Sequence, residues 1–131
     1  MKKILITGIL LTLLISQVSA LPFYRNPESS FYGVFRAMER IESVFALNNR
    51  RRMEIAIMHA ERRAEELTII EKEATFTRIQ AELQERVEAA DRLSDGIQNG
   101  GTQSRLRERL RVLNTNSLQV LEQARVRFQE R

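Results

Sequence analysis

Proline is absent from the whole chain beyond Pro27, and this absence constrains the fold more than any other feature of the sequence. In that stretch apolar residues recur at spacings of three and four, which is the period of an amphipathic helix. Neither β-branched runs nor apolar–polar alternation, which would indicate strands, interrupts the pattern. The sequence therefore predicts an all-α fold, organised as one helical domain over residues 29–131.

The first two helices are predicted from their apolar stripes and from the residues between them. The first helix is expected over residues 30–47 and ends at Asn48, because asparagine tolerates the backbone conformation found after helices. Asn49 is then expected to cap the second helix, which is predicted over residues 50–72.

The third helix follows from a change of phase in the apolar pattern. This change predicts a turn near residues 71–75 with Thr75 as a cap, although one continuous long helix is an alternative because no glycine or proline marks the turn. The glycine-rich stretch 94–101 is the clearest break in the chain. A fourth helix is predicted after it, over residues 102–129, with a kink or short break at residues 114–117 because these are poor helix formers.

Short linkers between amphipathic helices favour antiparallel neighbours. We therefore expect a small antiparallel helical bundle, or a hairpin of the second and third helices with flanking helices. The fourth helix should pack along that hairpin, and the first should close one end. The predicted core comprises Phe35, Phe45, Ile57, Leu67, Ile79, Leu83, Leu110 and Leu113.

Residues 1–20 are typical of a secretory signal peptide. Two lysines precede an apolar run over residues 4–15, and Val18-Ser19-Ala20 supplies the small residues of a cleavage site. We expect cleavage after Ala20, an irregular segment over residues 21–28, and a periplasmic, cell-surface or extracellular location. An uncleaved N-terminal membrane anchor is the alternative.

Composition adds two limits on function. Without Lys2 and Lys3, the chain carries 19 basic and 17 acidic residues, a net charge of +2, which gives no support to a nucleic-acid partner. Because the chain has no cysteine, its stability must come from packing alone.

Catalytic and metal-binding patterns are also missing from the sequence. His59 is the single histidine, and the E-x-x-H pair of di-iron bundles would need glutamate where Ala56 stands. Arg62 and Arg63 follow His59 and would repel a cation, so we interpret His59 as structural or exposed. We predict that the protein is not an enzyme and uses no cofactor.

The triplet Arg50-Arg51-Arg52 is the most unusual local feature. One interpretation is that these cations neutralise the carbonyl end of the first helix, or Glu39 and Glu42. The other is a site, together with Arg62 and Arg63, for an acidic partner, a polyanion or anionic lipid headgroups.

Several short motifs resemble a family of helical domains of unknown function found in exported and membrane-attached prokaryotic proteins. The motifs are Pro27-Glu28-Ser29-Ser30-Phe31-Tyr32, Phe35-Arg36-Ala37-Met38-Glu39-Arg40, Phe45-Ala46-Leu47-Asn48-Asn49-Arg50-Arg51, Ala60-Glu61-Arg62-Arg63 and Arg111-Val112-Leu113. Two departures are Ser30, where the pattern usually has proline, and a short turn before Phe76. The resemblance implies an envelope helical module with no known activity and no catalytic residue.

Two functional hypotheses follow. The first is a non-enzymatic module of the cell envelope that binds another envelope protein through a helical face. The second is a periplasmic chaperone or stress-sensing protein that holds unfolded clients on a concave apolar surface. The L-T-x-x-Q repeat of such chaperones is not found here. The oligomeric state is open, with a weak homodimer as one alternative.

Overall fold

The computed structural model describes residues 26–130, and in this range it contains four α-helices and no strand. The helices are α1 (Tyr32–Val44), α2 (Asn49–Leu67), α3 (Glu73–Ser94) and α4 (Gly100–Gln129). The all-α prediction is confirmed. The predicted signal peptide and its anchor alternative lie outside the described residues. None of the described helices is long and apolar enough to cross a membrane.

A short elbow, residues 45–48, joins α1 to α2. Asn48, not Asn49 as predicted, caps α2, because its Oδ1 accepts the backbone N–H of Arg51 at 2.8 Å. The side chain of Asn49 instead donates to the carbonyl of Gly96 at 3.3 Å. This bond ties the start of α2 to the turn between α3 and α4.

The turn between α2 and α3 confirms two separate helices, but Thr75 is not its cap. Helix α3 begins at Glu73, and no side chain caps it. The turn before it is held by Glu28, whose Oε1 accepts the backbone N–H groups of Glu71 at 3.2 Å and Lys72 at 2.7 Å. At the other side of the turn, Arg127 donates to the carbonyls of Leu67 and Thr68 at 2.9 and 2.7 Å. Remote side chains therefore bond the backbone on both sides of the turn, which forms without glycine or proline.

The last helix is continuous through residues 114–117, so a break there, one of the two predicted alternatives, is wrong. Thr115 and Ser117 each donate a hydroxyl hydrogen to the carbonyl four residues earlier, at 3.1 and 2.7 Å. Their polar groups are satisfied inside the helix, which removes the reason for a break.

The core lies between α2, α3 and α4. The hairpin of α2 and α3 is antiparallel, and α4 packs along both of its helices. The ring centroids of Phe76 and Phe128 lie 5.2 Å apart, which brings the end of α4 beside the start of α3. Seven of the eight predicted core residues are buried. Phe45 is the exception, with 74% of its surface exposed, because α1 ends before it and the elbow turns outward.

The first helix lies along the hairpin and does not close one end of it as predicted. Tyr32, at the start of α1, contacts Glu66 near the end of α2, and Glu42 contacts His59 nearer the middle. These contacts show that α1 runs antiparallel to α2. The elbow and the turn between α3 and α4 therefore lie at the same end of the molecule.

Candidate functional site

Charged side chains join α1 to the hairpin. Arg63 of α2 is completely buried, with its Nη2 2.6 Å from Oε1 of Glu39 and 2.9 Å from Oε1 of Glu66. Its Nη1 lies 3.2 Å from Glu82 of α3. Arg36 of α1 joins its own helix to α3, because it lies 2.7 Å from Glu39 of α1 and 2.9 Å from Glu82 of α3. Two guanidinium groups thus cross-link three helices.

Tyr32 closes the buried side of this arrangement. Its hydroxyl donates to Glu66 Oε2 at 2.9 Å and accepts from Nη1 of Arg63. Burial raises the pKa of the Tyr32 hydroxyl well above its ordinary value. Burial also raises the pKa of Glu66 to about 7, because the loss of solvation outweighs the attraction of Arg63.

A second group lies nearer the elbow. Oε2 of Glu42 accepts from Nη1 of Arg62 at 2.9 Å and lies 3.0 Å from Nε2 of the buried His59. The hydrogen bond from His59, followed by that from Arg62, lowers the pKa of Glu42 to about 2. The α1 ionic cluster, as we call both groups together, comprises Tyr32, Arg36, Glu39, Glu42, His59, Arg62, Arg63, Glu66 and Glu82.

Phe35 is the main apolar contact of α1 inside this cluster. Its ring is buried, and the guanidinium carbons of Arg62 and Arg63 lie 5.5 and 5.8 Å from its centroid. These distances are within the range of cation–π attraction. Arg62 and Arg63 therefore contact the main apolar side chain of α1 as well as its carboxylates.

The structure separates the five arginines proposed as an anion site. Arg62 and Arg63 lie under α1, with carboxylates as partners, and Arg63 has no solvent access. Twelve residues of helix, about 18 Å, separate Arg62 from Arg50. Glu39 and Glu42 therefore pair with Arg62 and Arg63, and not with the triplet.

The triplet itself lies at the elbow. Arg50 and Arg51 are exposed and lie 3.1 and 3.4 Å from the carboxylate of Glu54. The hydrogen bond from Arg50, more than that from Arg51, lowers the pKa of Glu54. Arg52 donates its Nε–H to the carbonyl of Ala46 at 3.2 Å, in the elbow just after α1.

The opposite side of α1 carries large apolar side chains. Val34 is 52% exposed and Ile41 is 40% exposed, and both lie on the face turned away from the hairpin. Exposure increases toward the elbow, where Leu47 reaches 89%. We call this surface the outer face; it comprises Phe31, Val34, Ile41, Val44, Phe45 and Leu47.

An open pocket of about 340 Å³ lies where the outer face meets the triplet. Phe45 and Leu47 form its apolar side, while Arg50, Arg51 and Glu54 form its charged side. Over residues 26–130, no group of three or more histidine, aspartate or glutamate side chains is arranged to hold a metal ion. The surface at the elbow thus consists of apolar side chains next to the guanidinium groups of Arg50 and Arg51.

The raised pKa of Glu66 predicts how stability depends on pH. Its folded-state pKa of about 7 lies above the ordinary value of 4.5, so its contribution is fully present below pH 4.5 and is lost as the pH rises through 7. We expect the free energy of unfolding to fall over this window, with a maximum slope of about 1.4 kcal/mol per pH unit for one proton. Urea denaturation of the wild type and of Glu66→Gln at several pH values measures this effect.

The Glu66→Gln variant keeps the shape of the side chain but cannot titrate, so its profile should be flatter between pH 4.5 and 7. Parallel profiles for the two proteins would contradict the prediction. The lowered pKa of Glu42 acts in a different window, because its contribution is lost only as the pH falls from 4.5 through about 2.

These features define a class: a small all-helical domain whose first helix is fastened to the other three by a buried ionic cluster. The chain belongs to the family described as Domain of unknown function (DUF5667), which it matches over residues 26–131. The sequence resemblance to a domain of unknown function is confirmed at that level. No curated protein and no solved structure matches the chain.

Proposed function

We propose that this domain is an exported, non-catalytic interaction module of the cell envelope, which binds a helix of a partner protein on its outer face. The orientation of α1 carries the proposal. This helix buries Phe35 and its charged side chains against the hairpin and leaves a second set of large apolar side chains, including Val34 and Ile41, exposed to solvent.

Leaving these apolar side chains of α1 exposed costs the domain free energy of folding. Exposed apolar surface forgoes about 25 cal/mol per Å² that burial would contribute. Scattered apolar residues on a surface need no explanation, but a contiguous set on one helix is typical of an interaction site. Six large apolar side chains are exposed between residues 31 and 47, and we interpret this concentration as a binding surface.

The shape of the surface selects the kind of partner. Val34, Ile41 and Phe45 recur at spacings of seven and four, which is how one helix presents apolar side chains to another. The surface follows one helix and the elbow after it, which favours helix-to-helix docking over the holding of unfolded clients.

The exposed arginines near the outer face indicate the charge expected on the partner. Arg40 is exposed on α1, and Arg50 and Arg51 border the pocket at the elbow. A partner helix with an apolar stripe and acidic residues at one end would bury the stripe on α1 and place its carboxylates beside these guanidinium groups. The signal-like composition of residues 1–20 supports meeting this partner outside the cytoplasm.

Site-specific photocrosslinking in producing cells tests the proposal. A benzophenone amino acid at position 34 or 41 should yield an adduct with one protein, mapped by mass spectrometry to an amphipathic, acidic helix. The same probe at position 115, an exposed polar site on α4, should not yield this adduct. The double variant Val34→Ser/Ile41→Ser should lose copurification of that protein and keep its melting temperature.

The matched control is Val112→Ser/Leu118→Ser, which changes two exposed apolar residues of α4. This control should retain the partner. Adducts with lipid, adducts with a second copy of the chain, or equal adducts at position 115 would each overturn the proposal. Retention of the partner by Val34→Ser/Ile41→Ser would overturn it too.

A further inference from the structure

A second concave surface lies between the end of α1, the middle of α2 and the second half of α3. It is a half-open cleft of about 300 Å³. We infer that this cleft binds a small organic anion, namely a carboxylate carried on a short apolar body. Its lining is Ser43, Ala46, Arg52, Ile55, Ala56, His59, Arg86, Ala89 and Leu93.

Charge is the first argument for an anion. The lining includes two guanidinium groups and one imidazole but no carboxylate. Arg52 is held by its bond from Nε to the carbonyl of Ala46, and this bond leaves its two terminal nitrogens for a ligand. Arg86 has no hydrogen bond or ion pair with any residue in the described part of the chain. Guanidinium groups bind carboxylates well because their planar N–H groups match two oxygens.

His59 supplies the second, independent argument. It is fully buried, and its Nδ1 has no hydrogen-bond partner within residues 26–130. Buried polar atoms without a partner are rare in folded proteins, so such an atom points to a missing ligand or water. Nε2 faces the ionised Glu42 and therefore carries a hydrogen. Nδ1 is then the ring atom of His59 left for a ligand, and His59 is part of the cleft lining.

The rest of the lining defines the body of the ligand. Ala46, Ala56 and Ala89 are small, and together with Ile55 and Leu93 they form an apolar wall. A volume of about 300 Å³ is at the small end of ligand sites, so a short aliphatic chain fits and a large cofactor does not. The same chemistry occurs in a short-chain carboxylic acid and at the carboxyl terminus of a peptide.

Nitrogen-15 NMR titration of the purified protein tests this inference. The probes are octanoate, inorganic phosphate, and the tripeptide Ala-Ala-Leu as its free acid and as its amide. We expect octanoate or the tripeptide acid to shift the signals of α2 and α3 around the cleft in a saturable way. Arg86→Gln should weaken binding at least tenfold, whereas Arg92→Gln, an exposed change on the same helix that does not line the cleft, should leave it unchanged.

The arms of the titration separate the sources of the carboxylate. If the tripeptide acid binds more tightly than octanoate and the amide does not bind, the site is supported and its ligand is a peptide carboxyl terminus. If octanoate binds more tightly than the tripeptide acid, the site is supported and its ligand is a free carboxylic acid. The inference is overturned if phosphate binds as tightly as either acid, if no probe saturates, or if Arg86→Gln binds as the wild type does. The Val34→Ser/Ile41→Ser variant should bind the same probe as tightly as the wild type does. A failure of the cleft inference can therefore be distinguished from a failure of the proposed function.

Discussion

Replacing Arg63 by alanine should lower the free energy of unfolding by about 3–5 kcal/mol, which is the cost of removing one partner from a buried ion pair. Glu39 and Glu66 are both buried against this guanidinium, and no solvent reaches them to replace it. Tyr32 also loses the donor to its hydroxyl oxygen. Urea denaturation followed by circular dichroism measures the change.

The control for this experiment is Arg109→Ala. Arg109 also has a carboxylate partner on another helix, Glu61 at 2.5 Å, but both side chains are substantially exposed. An exposed pair contributes only about 0–1 kcal/mol. Equal losses in the two variants would show that burial of the cluster does not determine its energetics.

A variant that tests the cause is Arg63→Met combined with Glu39→Gln and Glu66→Gln. Removing the charges together should recover much of the stability lost in Arg63→Ala, because the single variant leaves Glu66 without a cation, whereas Glu39 keeps Arg36 at 2.7 Å. This triple variant also keeps the prediction testable if Arg63→Ala does not fold. A triple variant less stable than the single one would contradict this explanation.

Truncating Leu83 to alanine should cost about 2–5 kcal/mol, the range for a large side chain removed from a well-packed core. Leu83 of α3 and Leu110 of α4 are both buried in the core between the helices. Leu110→Ala should therefore have an effect in the same range. Thermal and urea denaturation check both variants.

Leu118→Ala is the comparison for these core variants. It removes the same atoms from a leucine of α4 that is mostly exposed, so its effect should stay within about 0.5 kcal/mol. If Leu83→Ala and Leu110→Ala both leave the melting temperature unchanged, the helices do not pack as the structure describes.

Local sequence patterns predicted the helices well because their period is a property of the chain itself. Ile57, Leu67, Ile79 and Leu83 were identified as core from spacing alone, and all four are buried. Phe45 had the same spacing and failed, since periodicity does not show where a helix stops.

The helix ends were harder to predict because distant residues determine them. Glu28 bonds the backbone just before α3 from more than forty positions away, and Arg127 caps the end of α2 from about sixty. Thr75, the cap suggested by local sequence, has no such role. No window of neighbouring residues contains the information for such a contact.

The candidate site was predicted only in part for the same reason. Arg50 and Arg51 were singled out as a group of cations with two possible roles, and they lie at the elbow beside apolar surface. Arg62 and Arg63 were assigned to the same surface, because the periodicity of α2 does not reveal that α1 covers that side. Arg86 was missed, since only the packing of α3 against α2 brings it near His59.

Glu28 binds the backbone of the turn between α2 and α3. This contact determines which end of the domain lies next to any segment attached before residue 26. Residue 26 emerges beside the turn between α2 and α3, at the end of the molecule opposite the elbow. Because α1 has 13 residues, the elbow lies about 20 Å farther along. A tether fused before residue 26 therefore leaves the elbow, with Phe45 and Leu47, at the opposite end of the molecule, together with the turn between α3 and α4.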